Sequence, residues 1–328
     1  MNRRGRPPLA PGPAGSRATL SREQELELAL RAARAYYIDD TPKVQIASDL
    51  GLTRFQVTRL IDLARSSGMV HIQVTAPDGI DHEASARLAE RLGIDKAIVI
   101  TPLAEATVVD DVGRTLADEL SRVVREGDAV GITWSRTTIA MSRQLTSLPR
   151  CRLVQLGGHV EGVSGMPGSY ELLLTAARVS GGEAFPILAP LVVGDPKTAK
   201  SLRQQPSIAA ALDLHEQLDV TVISVGNWAP GGSTIIDTID DESRRGATRH
   251  GAVAELSGRL LDRQGRPVRE PFDECLIGIQ LDQLRRTPVR IATSYGAHRA
   301  EATLAATRAG LISTLIADAS VASAILDS

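Results

Sequence analysis

The sequence predicts an α/β protein, with a small N-terminal helical domain followed by a larger domain on a mainly parallel sheet. Three observations predict it. Three short, capped helical patterns come first; after Pro77, six short apolar stretches then alternate with helical ones. The charge also changes sign: residues 1–75 carry eleven Lys and Arg against seven Asp and Glu, and the remainder carries 26 against 32. A basic head on an acidic body suits a nucleic-acid-binding module joined to a different domain.

Length and composition set the frame. A chain of 328 residues exceeds one ordinary core, so two domains are expected. Hydrophobic residues at 43% and charged residues at 23% describe a water-soluble globular protein. No apolar run approaches the roughly 20 residues that span a bilayer. The start, Met1-Asn2-Arg3-Arg4-Gly5-Arg6-Pro7-Pro8, lacks the apolar core of a secretory signal, so a cytoplasmic location is expected. Cys151 and Cys275 form no CxxC pair and read as buried, reduced thiols. His71, His82, His159, His215, His250 and His298 show no metal-ligand spacing, so neither a metal nor a cofactor is expected.

Residues 1–18, rich in Pro, Gly, Ala and Arg, have almost nothing to bury and read as a disordered basic arm. The helical domain is assigned to 19–75. Ser21 with Gln24 makes a capping box, after which Leu26, Ala29, Leu30, Ala33 and Tyr37 recur at helical spacing. Pro42 suits the first position of a second helix whose apolar residues are Val44, Ile46, Ala47 and Leu50. Gly51 supplies a tight turn, and Thr53 caps a third helix with Val57, Leu60, Ile61 and Ala64 on one face. Residues 69–74 alternate as a short strand.

This is a helix-turn-helix arrangement, and its chemistry lies in what the third helix leaves outside. With the apolar face inward, Phe55 and Arg59 point out, flanked by Thr53, Arg54, Gln56 and Thr58. Arg can grip guanine or phosphate with two hydrogen bonds, Gln can pair with adenine, and an aromatic edge can meet a thymine methyl. Double-stranded DNA is therefore the expected partner. The competing reading is a three-helix packing module that happens to carry arginines; the short turn and polar outer face fit groove insertion better. Arg4-Gly5-Arg6-Pro7 also matches the core of an AT-hook, with a generic basic tail as the alternative.

The second domain, 76–328, places strands at 97–100, 129–133, 153–156, 220–225, 289–293 and 313–317. Helices are expected at 82–92, 109–125, 138–145, 170–180, 208–218 and 298–309. Near-continuous apolar strands between helices imply a parallel sheet covered on both faces.

The sequence resembles the SorC/DeoR-type sugar-binding transcriptional regulators, from about Glu23 onward. The head shows it in Ile46-Ala47-Ser48-Asp49-Leu50-Gly51-Leu52-Thr53-Arg54-Phe55-Gln56-Val57-Thr58-Arg59-Leu60. Gly131-Ile132-Thr133-Trp134-Ser135-Arg136-Thr137-Thr138 and Val154-Gln155-Leu156-Gly157-Gly158 follow. Later come Gly251-Ala252-Val253-Ala254-Glu255, Gly258-Arg259-Leu260-Leu261-Asp262, Leu276-Ile277-Gly278-Ile279 and Leu315-Ile316-Ala317-Asp318-Ala319. The resemblance implies a Rossmann-type effector domain related in fold to phosphosugar isomerases and deaminases. It also implies a homo-oligomer, a dimer or more usually a tetramer, whose grip on its operator changes with a sugar phosphate. Two positions depart from the pattern: the family usually has Lys at Arg299 and Asp at Glu255. An arginine keeps the charge but forms no Schiff base, so covalent capture of an aldehyde is disfavoured.

Ser135, Arg136, Thr137 and Thr138 sit where a parallel strand turns into a helix, a place where α/β sheets bind ligands. From the turn alone, phosphate binding and an ordinary helix cap are equally good readings; the resemblance favours phosphate. Asn227, in a Gly-rich loop, could reach sugar hydroxyls, with a mobile surface loop as the competing reading. Gln155, Glu255 and Arg299 complete the expected effector set, while Asp318 is read as a cleft residue or a cap for the last helix. An enzyme related to phosphosugar isomerases or deaminases is the alternative function, with Glu255 as its base, but no paired acid–base motif or nucleophile elbow appears.

Overall fold

The computed structural model describes residues 21–70, 79–102, 104–159, 168–233, 235–236 and 238–328. The basic arm with its AT-hook match and most of the strand expected at 69–74 lie outside the described residues. The chain divides into two compact units, Met1–Val74 and Thr75–Ser328.

The first unit holds α1 (Arg22–Tyr37), α2 (Lys43–Leu50) and α3 (Arg54–Ser66). Ser21 and Gln24 form the expected reciprocal cap on α1. Gly51, with φ of 64°, ends α2 in the left-handed conformation, and Thr53 and Gln56 cap α3. The core joins Ala29, Ala32 and Ala33 of α1 to Ile46 and Ala47 of α2 and Val57, Leu60, Ile61 and Ala64 of α3. Three expectations fail here: Leu30, Tyr37 and Val44 are 53%, 37% and 65% exposed. Alanines form the inward seam of α1, and in so small a unit each helix turns only one narrow stripe toward its neighbours. Pro42 stands just before the first turn of α2 rather than within it.

The second unit begins with β1 (Ile80–Asp81), α4 (His82–Leu92), β2 (Lys96–Ile100) and α5 (Val108–Val123). It continues through β3 (Ala129–Ile132), α6 (Arg136–Gln144), β4 (Arg152–Gln155), α7 (Ser169–Ser180) and β5 (Ala184–Phe185). Then come α8 (Pro196–Arg203), α9 (Pro206–Leu214), β6 (Val220–Ser224), β7 (Gly226–Asn227), α10 (Asp241–Arg249) and β8 (Ala252–Leu256). The last elements are β9 (Arg259–Asp262), β10 (Pro267–Val268), α11 (Leu281–Arg286), β11 (Val289–Ser294), α12 (Ala300–Arg308), β12 (Thr314–Asp318) and α13 (Ala319–Leu326).

The main sheet runs β1-β2-β12-β11-β6-β3-β4-β5, and a second sheet runs β10-β9-β8-β7. In the main sheet every pairing is parallel except β1 with β2. Alternate residues face opposite cores: Val99 and Ile223 enter one, and Ile98, Ile100 and Val222 the other. The six expected strands are all present and parallel. The second, antiparallel sheet was not expected, because its strands are two to five residues long and broken by turns, leaving no apolar run to read.

The strand order creates the crevice. From β3 the chain steps outward to β4 and β5, whereas β6 is followed by β11 and β12 on the other side. Ligands of open α/β sheets bind outside the carboxyl ends at such a switch point. Helices α5 and α6 approach closely behind it, and a Cβ on Gly113 would stand 2.5 Å from Ala140 Cβ and 2.8 Å from the Met141 nitrogen. Gly113→Ala should therefore cost about 1–3 kcal/mol through overpacking; an unchanged urea midpoint would show that the two helices can separate freely.

Candidate functional site

At the end of β3, Ser135 caps α6. Its Oγ accepts from Thr138 N at 3.1 Å, and Thr138 Oγ1 accepts from Ser135 N at 2.8 Å. Thr137 Oγ1 lies 2.8 Å from Thr293 Oγ1 at the end of β11, and 3.0 Å from Ser135 Oγ. Thr137 and Thr138 are fully buried. Their hydroxyls form the frame of the turn, so the helix-cap reading of these groups holds. What the turn offers outward is the exposed Arg136, whose own N–H has no acceptor within the helix.

The β8–β9 hairpin comes over this turn. Ser257 Oγ lies 2.8 Å from Thr133 Oγ1, and Ser257 has a positive φ of 50°, uncommon outside glycine. Glu255 is buried, its Oε1 accepting from Gly258 N at 2.6 Å and its Oε2 from Ser233 Oγ at 3.2 Å. Across from it in β7 stands Gly226, where a Cβ would be 3.2 Å from Glu255 Oε2. The neighbouring Asn227 has a buried Oδ1 that accepts no hydrogen bond among the described residues. A buried acceptor of this kind is costly unless something donates to it.

The third part follows β11. Arg299 is buried, its Nη1 donating to Tyr295 O at 2.6 Å and its guanidinium lying 4.3 Å from the Tyr295 ring centroid. Burial lowers its pKa; Arg136 lowers it further, while Tyr295 and Asp318 raise it. Arg136, Arg299 and Asp318 thus share one electrostatic neighbourhood. Asp318 accepts from Gly296 N at 3.0 Å and from Val321 N at 3.3 Å, so it caps α13 and fixes the loop that carries Arg299. His298 is exposed, its pKa lowered by burial and by Arg299 and raised by Asp318.

Gln155 is the expected residue that stands apart. Its Nε2 donates to Gly157 O and Ser169 Oγ, and its Oε1 accepts from Ile187 N at 3.2 Å. These bonds bolt the end of β4 to the segment after β5. His215 Nε2 donates to Gln155 O at 2.9 Å, and burial pushes the His215 pKa down to about 4. Above pH 6.5 the imidazole is neutral in both folded and unfolded chains. On acidification the unfolded chain takes the proton first, so stability is lost, about 2 kcal/mol of it by pH 5. Urea unfolding at pH 7 and 5 should show a smaller loss for His215→Gln than for the wild type, and equal losses would contradict this.

Ser233 belongs to the Gly-rich loop expected at this cleft, whereas Tyr295, Ser257 and Thr293 were not expected there. Of these three only Ser257 left a readable mark, a Ser-Gly turn dipeptide between two apolar blocks; the others are brought in by topology.

The α3 surface carries the other expected set. Phe55 is 81% exposed, and Thr53, Arg54, Gln56 and Arg59 are exposed beside it. Gln56 Oε1 accepts from Thr53 N at 2.8 Å, so this side chain serves the cap. Thr58 is half-buried, its hydroxyl donating to Arg54 O at 3.1 Å. Arg59 Nη2 lies 3.3 Å from Glu25 Oε1 of α1.

Residues 80–327 match the family described as "Putative sugar-binding domain". The chain is 28% identical over 312 residues to the transcriptional regulator LsrR of Escherichia coli K12, covering 93% of this chain and 96% of LsrR. It is 26% identical over 311 residues to YjhU of Escherichia coli K12, an uncharacterised transcriptional regulator, covering 90% and 93%. The full-length sorbitol operon regulator SorC of Klebsiella pneumoniae shares the fold with a TM-score of 0.71 and 21% identity, covering 92% of this chain and 98% of SorC.

Proposed function

Because the chain belongs to the sugar-binding domain family, matched over residues 80–327, we propose that it is a DNA-binding transcriptional regulator whose operator affinity is set by a phosphorylated sugar. The observation that carries the sensor half is the convergence at one switch point of the Arg136 turn, the buried Glu255, Arg299 and the Asn227 Oδ1, which has no donor among the described residues. In this reading the phosphate lies on the Arg136 side chain at the N-terminus of α6, an arrangement suited to an anion. Glu255 and Asn227 Oδ1 accept from sugar hydroxyls, and Arg299, stacked on Tyr295, supplies a second guanidinium. Gln155 holds the sheet edge rather than the ligand.

The DNA half rests on α3, with Arg54, Phe55 and Arg59 as the outward set. Duplex operators of two-fold symmetry would suit a homo-oligomer of this chain, a dimer or a tetramer. No helix among the described residues is long and apolar enough to cross a membrane. The relatives are named as regulators, and the reading assigns no catalytic residue and no cofactor. Glu255, the best candidate for a catalytic base, is instead engaged by Gly258 N and Ser233 Oγ.

A thermal-shift screen of sugar phosphates, run beside a turnover assay, tests the sensor half. A ligand at 100 times its dissociation constant should add about 2.7 kcal/mol of stability. Stabilisation without turnover supports a sensor, whereas conversion of the stabilising sugar phosphate would make the domain an enzyme.

A further inference from the structure

The small second sheet borders a polar cavity that is lined in part by Arg259. In the β8–β9 hairpin, Glu255 stands across from Leu260 and Leu256 across from Arg259. Cross-strand partners share a face and successive residues alternate, so Glu255 and Arg259 leave opposite faces.

Arg259 is only 6% exposed. Its Nε donates to Ile279 O, and its Nη1 to the backbone and side-chain oxygens of Asp273, each at 3.2 Å. Its Nη2 is buried and has no acceptor among the described residues. Ionised donors without acceptors are costly in low dielectric, so an anion drawn against this guanidinium would offset part of that cost.

The surroundings repeat the signal. Arg259 lines a cavity of about 160 Å³ together with Arg269, Gln280, Arg285 and the carboxylates of Asp273 and Asp282. Both carboxylates are already engaged, Asp273 with Arg259 at 3.2 Å and Asp282 with Arg286 at 3.4 Å. Arg285 is steadied by its Nε, which donates to Ala309 O at 2.9 Å. Burial lowers the pKa of Arg259; Asp273 raises it, but Arg203 and Arg269 lower it again. Around the cavity the guanidiniums of Arg259, Arg269 and Arg285 thus stand against the two carboxylates of Asp273 and Asp282.

We infer that this cavity is a second anion site, which takes a phosphate or diphosphate group through Arg259, Arg269 and Arg285. It differs from the cleft at the switch point in its residues, and it stands whether or not that cleft binds a sugar phosphate. The volume accommodates inorganic phosphate, pyrophosphate or the phosphorylated end of a small metabolite. A planar fork on the cavity wall favours tetrahedral oxyanions with paired oxygens.

Calorimetry on the full chain with pyrophosphate and inorganic phosphate tests this. Both anions should bind the wild type, and binding should persist in Arg136→Ala, which alters only the other cleft. Arg269→Gln and Arg285→Gln change exposed side chains and should leave the fold intact. In the Arg136→Ala background each should weaken pyrophosphate binding by at least about tenfold, the effect of losing one charge-assisted contact. Arg259→Gln should remove binding, with circular dichroism confirming that the protein is folded. Undiminished affinity in both Arg269→Gln and Arg285→Gln overturns the site, as does the loss of all anion binding in Arg136→Ala or the absence of binding to the wild type.

Discussion

Arg136→Ala should abolish the response to the sugar phosphate while leaving operator binding by the free protein unchanged. Arg136 is the one exposed side chain of the 135–138 turn. It shares its electrostatic field with Arg299, whose burial already makes the cleft receptive to an anion. Removing one hydrogen bond to a charged group costs about 1.5–3 kcal/mol, or roughly 10- to 150-fold in affinity. The fold should not suffer, because the cap on α6 is made by Ser135 and Thr138. Thr137→Ala is a poorer probe: it removes the contact with Thr293 and loosens the turn itself. Glu255→Gln should weaken recognition of sugar hydroxyls more than phosphate binding, since the carboxylate is a charged acceptor on the opposite wall. Calorimetry decides the matter; equal affinity in wild type and Arg136→Ala would place the phosphate elsewhere.

The second large effect is expected on DNA. Arg59→Ala should weaken specific operator binding by about 1–3 kcal/mol if the side chain makes a base contact. Its guanidinium is exposed and pairs with Glu25 at 3.3 Å, a surface pair that DNA can readily replace. The core of the unit, built on Val57, Leu60, Ile61 and Ala64, does not include it. Affinity must be measured at one salt concentration, because phosphate contacts make all such values salt-dependent. Unchanged affinity for the natural promoter would remove this face of α3 as the reader.

Much of this architecture was legible because it rests on periodicity. The strands 97–100 and 129–132 are buried on both faces, so their apolar runs are continuous and announce a parallel sheet. Caps at Ser21, Thr53 and Ser135 were legible for a similar reason, being local chemistry between residues two or three apart. Leu30, Tyr37 and Val44 were misjudged because periodicity gives a helix face its polarity but not its width. The small sheet that carries Glu255 escaped for lack of length.

The cleft divides in the same way. The 135–138 turn and Arg299 could be proposed from strand ends. That Thr137 and Thr138 are framing groups depends on Thr293 and Thr133, which the chain brings together only on folding. Gln155 occupies a strand end like the others, yet its side chain turns to Ser169 and Ile187, a choice set by tertiary packing.

The central claim is that one protein couples a sugar phosphate to DNA, and linkage gives it a direct measurement. Operator affinity should be determined by titration at fixed salt, without the sugar phosphate that stabilises the protein and with it at saturation. The account predicts that the two affinities differ, typically by about 5- to 150-fold, and that operator DNA changes the affinity for the sugar phosphate by the same factor. Identical operator affinity with and without a sugar phosphate shown to be bound would contradict it.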